Sequence, residues 1–297
     1  MVQIPDNENK AIFKAIMNVS FSIYIFRRLH MNVVFCFDKN YEQHFGVALT
    51  SMLLNNTENN INVYIITDII EKELKQKLDS LSKNYKCSFD CYTIEDSDKL
   101  KDVKISGHIS KAAYYRLMIP DILPQNINKV IYLDSDIVVK SSLEELYQVN
   151  VDNYFLAAQG ARKKRYFNSG VMVLNLEQWR NEKISTKVLD WARENKDKLR
   201  FWDQTALNNI IGGNFVTIDR KWNMEVDLTR KKTQKLNNTS DFDNAKIIHF
   251  VGGRKPWYFW VLDKRKDIYD DYLQKSLWSK PKLQKIFQQI GYILKKL

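Results

Sequence analysis

Lys129-Val130-Ile131-Tyr132-Leu133-Asp134-Ser135-Asp136 decides the fold reading of this chain. The run from Lys129 to Leu133 is rich in β-branched and aromatic types and reads as a buried strand. Two carboxylates follow one residue apart, with Ser135 between them, and Ile137-Val138-Val139 then resumes an apolar run. In an open α/β sheet, ligands bind beyond the carboxyl ends of the strands. Two carboxylates there can aim oxygens at one hard divalent cation; Mg²⁺ and Mn²⁺ favour such ligands and bridge to substrate phosphates. Asp-Ser-Asp is also ordinary turn chemistry. Its placement directly after a hydrophobic strand favours the ligand reading.

Outward from this stretch the α/β rhythm repeats. Val33 to Phe37 reads as a buried strand, followed by Asp38-Lys39-Asn40-Tyr41. Phe45, Ala48, Leu49, Met52 and Leu53 fall at helical spacing. Asn62 to Thr67 is a second strand, Glu71 to Asn84 a helix, and Ser88 to Tyr92 a third strand. Strands separated by helices predict parallel pairing in a Rossmann-like sheet. No glycine-rich phosphate loop follows the first strand, so a nucleotide would be held by side chains and a metal.

A helix from Ile109 to Leu117 precedes the central strand. Its Arg116 is either a solvated charge or a planar fork for a phosphate or carboxylate. Ser141, Ser142, Glu144 and Glu145 read as a short capped helix. Tyr154 to Ala158 and Phe167 to Leu176 read as strands, and Ala161 to Arg165 as a mobile basic loop. Thr186 to Lys198 is a helix; Asp203 reads as the N-cap of the next one. Val216 to Asn223 reads as a strand carrying an exposed Trp222. Ala245 to Val251 is a late strand carrying His249, followed by Gly252-Gly253-Arg254-Lys255-Pro256-Trp257. Those glycines admit close backbone approach, and the adjacent cations suit phosphates.

The chain has 297 residues, 44% hydrophobic and 27% charged, the composition of an ordinary soluble protein with a large core. Its net charge of +11 points to anionic partners. Three cysteines, Cys36, Cys87 and Cys91, are too few and scattered for a disulfide framework and read as reduced thiols of a cytosolic protein. No apolar run reaches the roughly 18 residues needed to span a bilayer. Residues 1–30 read as an N-terminal extension: a helix lying on the domain or a membrane, or a stretch upstream of a natural start at Met31. From Tyr272 to Leu297 there are six lysines and no acidic residue. Leu283, Ile286, Phe287, Ile290, Ile293, Leu294 and Leu297 recur there at helical spacing. Such a basic amphipathic tail suits an anionic membrane surface or packs its stripe on the catalytic domain.

From about Met31 to Trp257 the chain resembles glycosyltransferase family 8, close to the bacterial lipopolysaccharide galactosyl- and glucosyltransferases. The resemblance rests on ordered motifs: Phe35 to Tyr41, Ile109-Ser110 through Tyr114 to Leu117, Tyr132 to Asp136, Phe167 to Val171, Trp202-Asp203-Gln204, and His249 to Trp257. It implies a GT-A fold, an α/β class with a mixed, mostly parallel Rossmann-like sheet flanked by helices. The implied domains are the extension 1–30, the catalytic domain 31–257 and the basic tail 258–297.

The resemblance also implies a retaining transfer of galactose or glucose from a UDP-sugar, dependent on Mn²⁺ (or Mg²⁺). Asp134, Asp136 and His249 would hold the metal. Asp38 and Asn40, with the Cys36 backbone, would bind uracil and ribose. Arg116, Asn168, Asp203 and Gln204 would line the donor sugar, with Asp203 and Gln204 the catalytic pair. Gly252 and Lys255 would grip the diphosphate, and Ile109 and Ser135 would complete the nucleotide contacts. Phe37 and Lys39 depart from the residues common beside the first-strand Asp. The implied acceptor is a glycan or glycolipid of surface polysaccharide or lipopolysaccharide, and the implied location is the cytoplasm, peripheral on the inner face of the membrane. A catalytically inactive sugar-nucleotide-binding module and a transferase acting on protein glycans are the alternatives. The charge forms no aromatic-interleaved groove, so no nucleic-acid partner is expected.

Overall fold

The computed structural model describes residues 30–94, 100, 111–160, 166–229 and 239–279. The expected extension up to position 29, Ile109, the basic loop 161–165 and the tail from 280 lie outside them.

Seven strands form the main sheet, in the order β3-β2-β1-β4-β7-β6-β8. They are β1 His30–Phe37, β2 Asn60–Thr67, β3 Cys87–Thr93, β4 Lys129–Leu133, β6 Leu156–Gly160, β7 Phe167–Asn175 and β8 Phe215–Ile218. All pair in parallel except β7, which runs antiparallel to both neighbours. The central strands are apolar on both faces because both faces are covered. Val34, Tyr132 and Met172 face one core layer; Val33, Phe35, Ile131, Leu133 and Val173 face the other. A second sheet holds β5 Ile137–Val139, β9 Met224–Glu225 and β10 Ile247–His249, with β10 in the middle.

This topology brings four chain segments to one edge. Val34 pairs with Tyr132 and Phe35 with Leu133, so β1 and β4 end side by side. Leu133 pairs with Val171, so antiparallel β7 starts where β4 stops. The Asp134 amide donates to Gly170 O at 2.8 Å and continues that ladder past the strand end. Antiparallel pairing of His249 with Ile137 then carries β10 over the same edge.

Helices α1 Glu42–Leu54, α2 Lys72–Asn84, α3 Leu176–Asn181, α4 Ile184–Glu194 and α5 Trp202–Ile211 cover the main sheet. The helix expected up to Leu117 is a 3₁₀ helix, Lys111–Met118, that runs into a single α-turn, Ile119–Ile122. Pro120 sits in the first positions of that turn, where a missing N–H costs nothing. Trp222 is not exposed: β8 stops at Ile218, Asp219 Oδ1 accepts from the Lys221 amide at 2.7 Å, and the resulting 3₁₀ turn folds Trp222 into the core.

The chain also continues as part of the domain beyond Trp257, the boundary expected from sequence. Helix α6, Asp267–Lys275, buries Tyr269 and Leu273 in a third apolar cluster with Phe250 and Val138. Trp278 then lies on α1 at Gly46, and its indole N–H donates to Glu42 Oε1 at 2.8 Å.

Candidate active site

At the shared edge, three side chains converge. Asp134, Asp136 and His249 each offer one ligand atom, and these atoms lie within 4.8 Å of one another. His249 Nε2 is 3.2 Å from Asp136 Oδ1 and 3.7 Å from Asp134 Oδ2. Its other nitrogen, Nδ1, lies 2.9 Å from Asn223 Oδ1. Asn168 Oδ1 accepts from both Asn223 Nδ2, at 2.9 Å, and the Gly170 amide, at 2.8 Å. That network turns the Asn223 oxygen toward the ring, puts the neutral ring's proton on Nδ1 and leaves Nε2 facing the carboxylates. Gly170 is required by space: a Cβ there would meet His249 Nδ1 at 2.7 Å and Asp134 Oδ2 at 2.9 Å. Between the carboxylates, the buried Ser135 Oγ has no hydrogen-bond partner among the described residues. Two carboxylates and an imidazole of fixed tautomer are a donor set that fits a divalent cation of the Mn²⁺ or Mg²⁺ kind.

Each carboxylate has its own cation. Arg116 Nη2 lies 3.0 Å from Asp134 Oδ1, which also accepts from the Tyr132 hydroxyl. Lys255 Nζ lies 2.6 Å from Asp136 Oδ2. Burial alone would raise the Asp136 pKa, but the charges of Lys255 and His249 outweigh it and hold the carboxyl well below its usual range. For His249, burial disfavours the charged ring, yet the Asp136 charge and hydrogen bond prevail and raise the pKa.

Arg116 is a strut inside the site. Its Nη1 donates to Ser169 O at 2.8 Å and to Ser169 Oγ at 3.0 Å, and its Nε donates to Ala113 O at 3.1 Å. Nε also lies 3.0 Å from Asp203 Oδ2, a charge contact without a directed hydrogen bond because its proton points at Ala113. The guanidinium packs over the Tyr132 ring at 4.7 Å.

Asp203 is not the N-cap expected from sequence. Helix α5 begins at Trp202, whose φ of 44° is left-handed, so Asp203 falls inside the first turn, buried against Arg116. Burial raises its pKa to about 6, with Arg116 opposing. Gln204 follows, its Oε1 accepting from the Ser169 amide at 3.0 Å and its Nε2 3.4 Å from the Tyr166 hydroxyl.

A cavity of about 980 Å³ opens over this edge. Cys36, Asp38, Arg116, Asp134, Ser135, Asp136, Asn168, Asp203, Gln204, His249, Gly252 and Lys255, all proposed from sequence, line it. Asn40 does not: its backbone amide donates to Asp38 Oδ1 at 2.9 Å, and the residue is exposed beside the site. Sequence reading missed Tyr41, Tyr132, Tyr166, Ser169, Trp202, Glu225 and Asp227 on the wall, and Asn223 behind it. Tyr132 stood in the strand beside Asp134; Asn223 carried no local signal.

The family model described as "Glycosyl transferase family 8" matches residues 32–261. The chain belongs to glycosyltransferase family 8. General stress protein A of Bacillus subtilis (strain 168) is 31% identical over 274 residues, covering 84% of this chain and 95% of that protein. Lipopolysaccharide 1,3-galactosyltransferase of Salmonella typhimurium is 28% identical, covering 84% and 79%. Among solved structures, galactosyltransferase LgtC in complex with donor and acceptor sugar analogues superposes with a TM-score of 0.70 at 20% identity, over 85% of this chain and 98% of that one. GlyE of Streptococcus pneumoniae TIGR4 superposes equally, TM-score 0.70 at 21% identity, over 85% and 62%. The family 8 chain therefore has the GT-A fold, with the convergent carboxylates and histidine at the carboxyl edge of its sheet.

Proposed function

We propose that this family 8 enzyme is a retaining hexosyltransferase that moves galactose or glucose from a UDP-sugar to a glycan or glycolipid acceptor of the bacterial surface. The observation that carries the reading is the Asp134–Asp136–His249 group at one end of a cavity of about 980 Å³. Bound there, Mn²⁺ would offset the negative charge that develops on the departing UDP. Lys255 supplies a second positive charge beside the diphosphate. Asp38 and the Cys36 backbone hold the nucleoside end, and Gly252 lets the backbone approach the phosphates.

Given the retaining outcome proposed here, the cavity bears on the route to it. Gln204 is a poor nucleophile, held by Ser169 and Tyr166. Asp203 is buried against Arg116. Both favour same-face substitution. The acceptor hydroxyl forms the new bond to the anomeric carbon as the bond to phosphate breaks, and its proton passes to the departing phosphate oxygen. Asp203 and Gln204 orient the sugar for that step.

None of the described helices is long and apolar enough to cross a membrane. We place the protein at the cytoplasmic face of the membrane, reached through its basic tail. Asp136→Ala tests the site: it should abolish metal-dependent turnover and Mn²⁺ binding in the presence of UDP. Wild-type activity in that variant would overturn the metal assignment.

A further inference from the structure

The two carboxylates at the site hold their cations differently. Asp134 is paired with Arg116, a planar fork fixed by Ser169, Ala113 and the Tyr132 ring. Asp136 is paired with Lys255, a compact charge on a flexible stem. Lys255 Nζ donates to Asp136 Oδ2 at 2.6 Å and to Phe250 O at 2.7 Å. It thus engages the carboxylate that the proposed cation would need, and two like charges on one carboxylate repel.

The backbone that carries Lys255 runs between two anchors. On one side, β10 is paired on both edges. On the other, Trp257 stacks on His44 with ring centres 3.5 Å apart and planes at 14°, and His44 Nδ1 lies 2.6 Å from the Tyr269 hydroxyl. Between them stand Gly252, with φ of 82°, and Gly253, around whose Cβ direction no described residue lies within 4 Å. Both glycines are exposed.

We propose that Lys255 is a displaceable countercharge for Asp136, which a divalent cation and the donor diphosphate move together. The cation competes with Lys255 for the carboxylate, and the diphosphate offers Lys255 a new anionic partner. Each ligand therefore favours the other through one side chain, and the coupling is reciprocal. The inference rests on the reading of this site as one for a cation and a nucleotide.

The test is a titration of the purified protein with Mn²⁺, following free ion by electron paramagnetic resonance, with and without UDP. Wild type is compared with K255Q, K255M and K255R. Without UDP, K255Q and K255M should bind Mn²⁺ about tenfold tighter than wild type, within the usual range of coupling factors, and K255R should resemble wild type. The tightening of Mn²⁺ binding by UDP should be smaller in K255Q and K255M than in wild type. If both bind Mn²⁺ alone no tighter than wild type while UDP still tightens wild-type binding, the countercharge proposal is overturned and the site reading stands. If wild type binds no Mn²⁺ even with UDP, the site reading falls and takes the proposal with it.

Discussion

Asp203 shows how one residue changes meaning with context. Local spacing offers a helix cap; the fold offers a buried carboxyl against Arg116 with a pKa raised to about 6. In the unfolded chain that carboxyl loses its proton near 3.8, so the folded state holds the proton longer. The stabilisation this gives is complete below the unfolded value and is lost as pH rises through about 6. Asp203→Asn has no such proton to lose. The stability of wild type relative to Asp203→Asn should therefore fall by about 2 kcal/mol between about pH 4 and pH 7. Urea unfolding of both proteins across that range reads the difference; parallel curves would show that Asp203 titrates normally. The support that Asn168 and Asn223 give His249 was illegible for a related reason. They act by fixing the His249 tautomer through a hydrogen-bond relay, and no residue spacing encodes a relay between segments distant in the chain.

At the scale of elements, the strands were legible because β1, β2, β4 and β7 are buried on both faces and read as continuous apolar runs. Their pairing was legible only in part. The antiparallel contact of β5 with β10, which brings His249 to Asp136, joins segments far apart in the chain and leaves no periodic trace. The docking of the segment after Trp257 was hidden by the basic character of the C-terminal residues beyond it. Gly46 makes that docking possible: a Cβ there would lie 2.6 Å from Trp278 Cγ. Gly46→Ala should force the Trp278 ring away from α1 and cost about 1–3 kcal/mol, lowering Tm by several degrees. An unchanged Tm would mean that Trp278 repacks without loss.

At the scale of the molecule, the GT-A sheet places its reactive edge where β1, β4, β7 and β10 meet, and the net charge of +11 suits anionic ligands and surfaces. The six lysines from Tyr272 onward lie mostly beyond Ser279, the last described residue. A chain ending at Ser279 keeps α6 and Trp278 in place and removes most of that charge. It should retain sugar-nucleotide turnover but lose binding to vesicles rich in anionic lipid, measured by co-sedimentation at low and high salt. Undiminished vesicle binding would move the membrane contact onto the catalytic domain.

Whether this site turns over a sugar nucleotide with the help of a metal is read most directly from UDP release. A panel of UDP-sugars is supplied without acceptor, first with Mn²⁺ and then with EDTA. A metal-dependent hexosyltransferase should slowly hydrolyse UDP-galactose or UDP-glucose and stop when EDTA is added. No release from any UDP-sugar, together with no UDP binding under any divalent cation, would contradict that function.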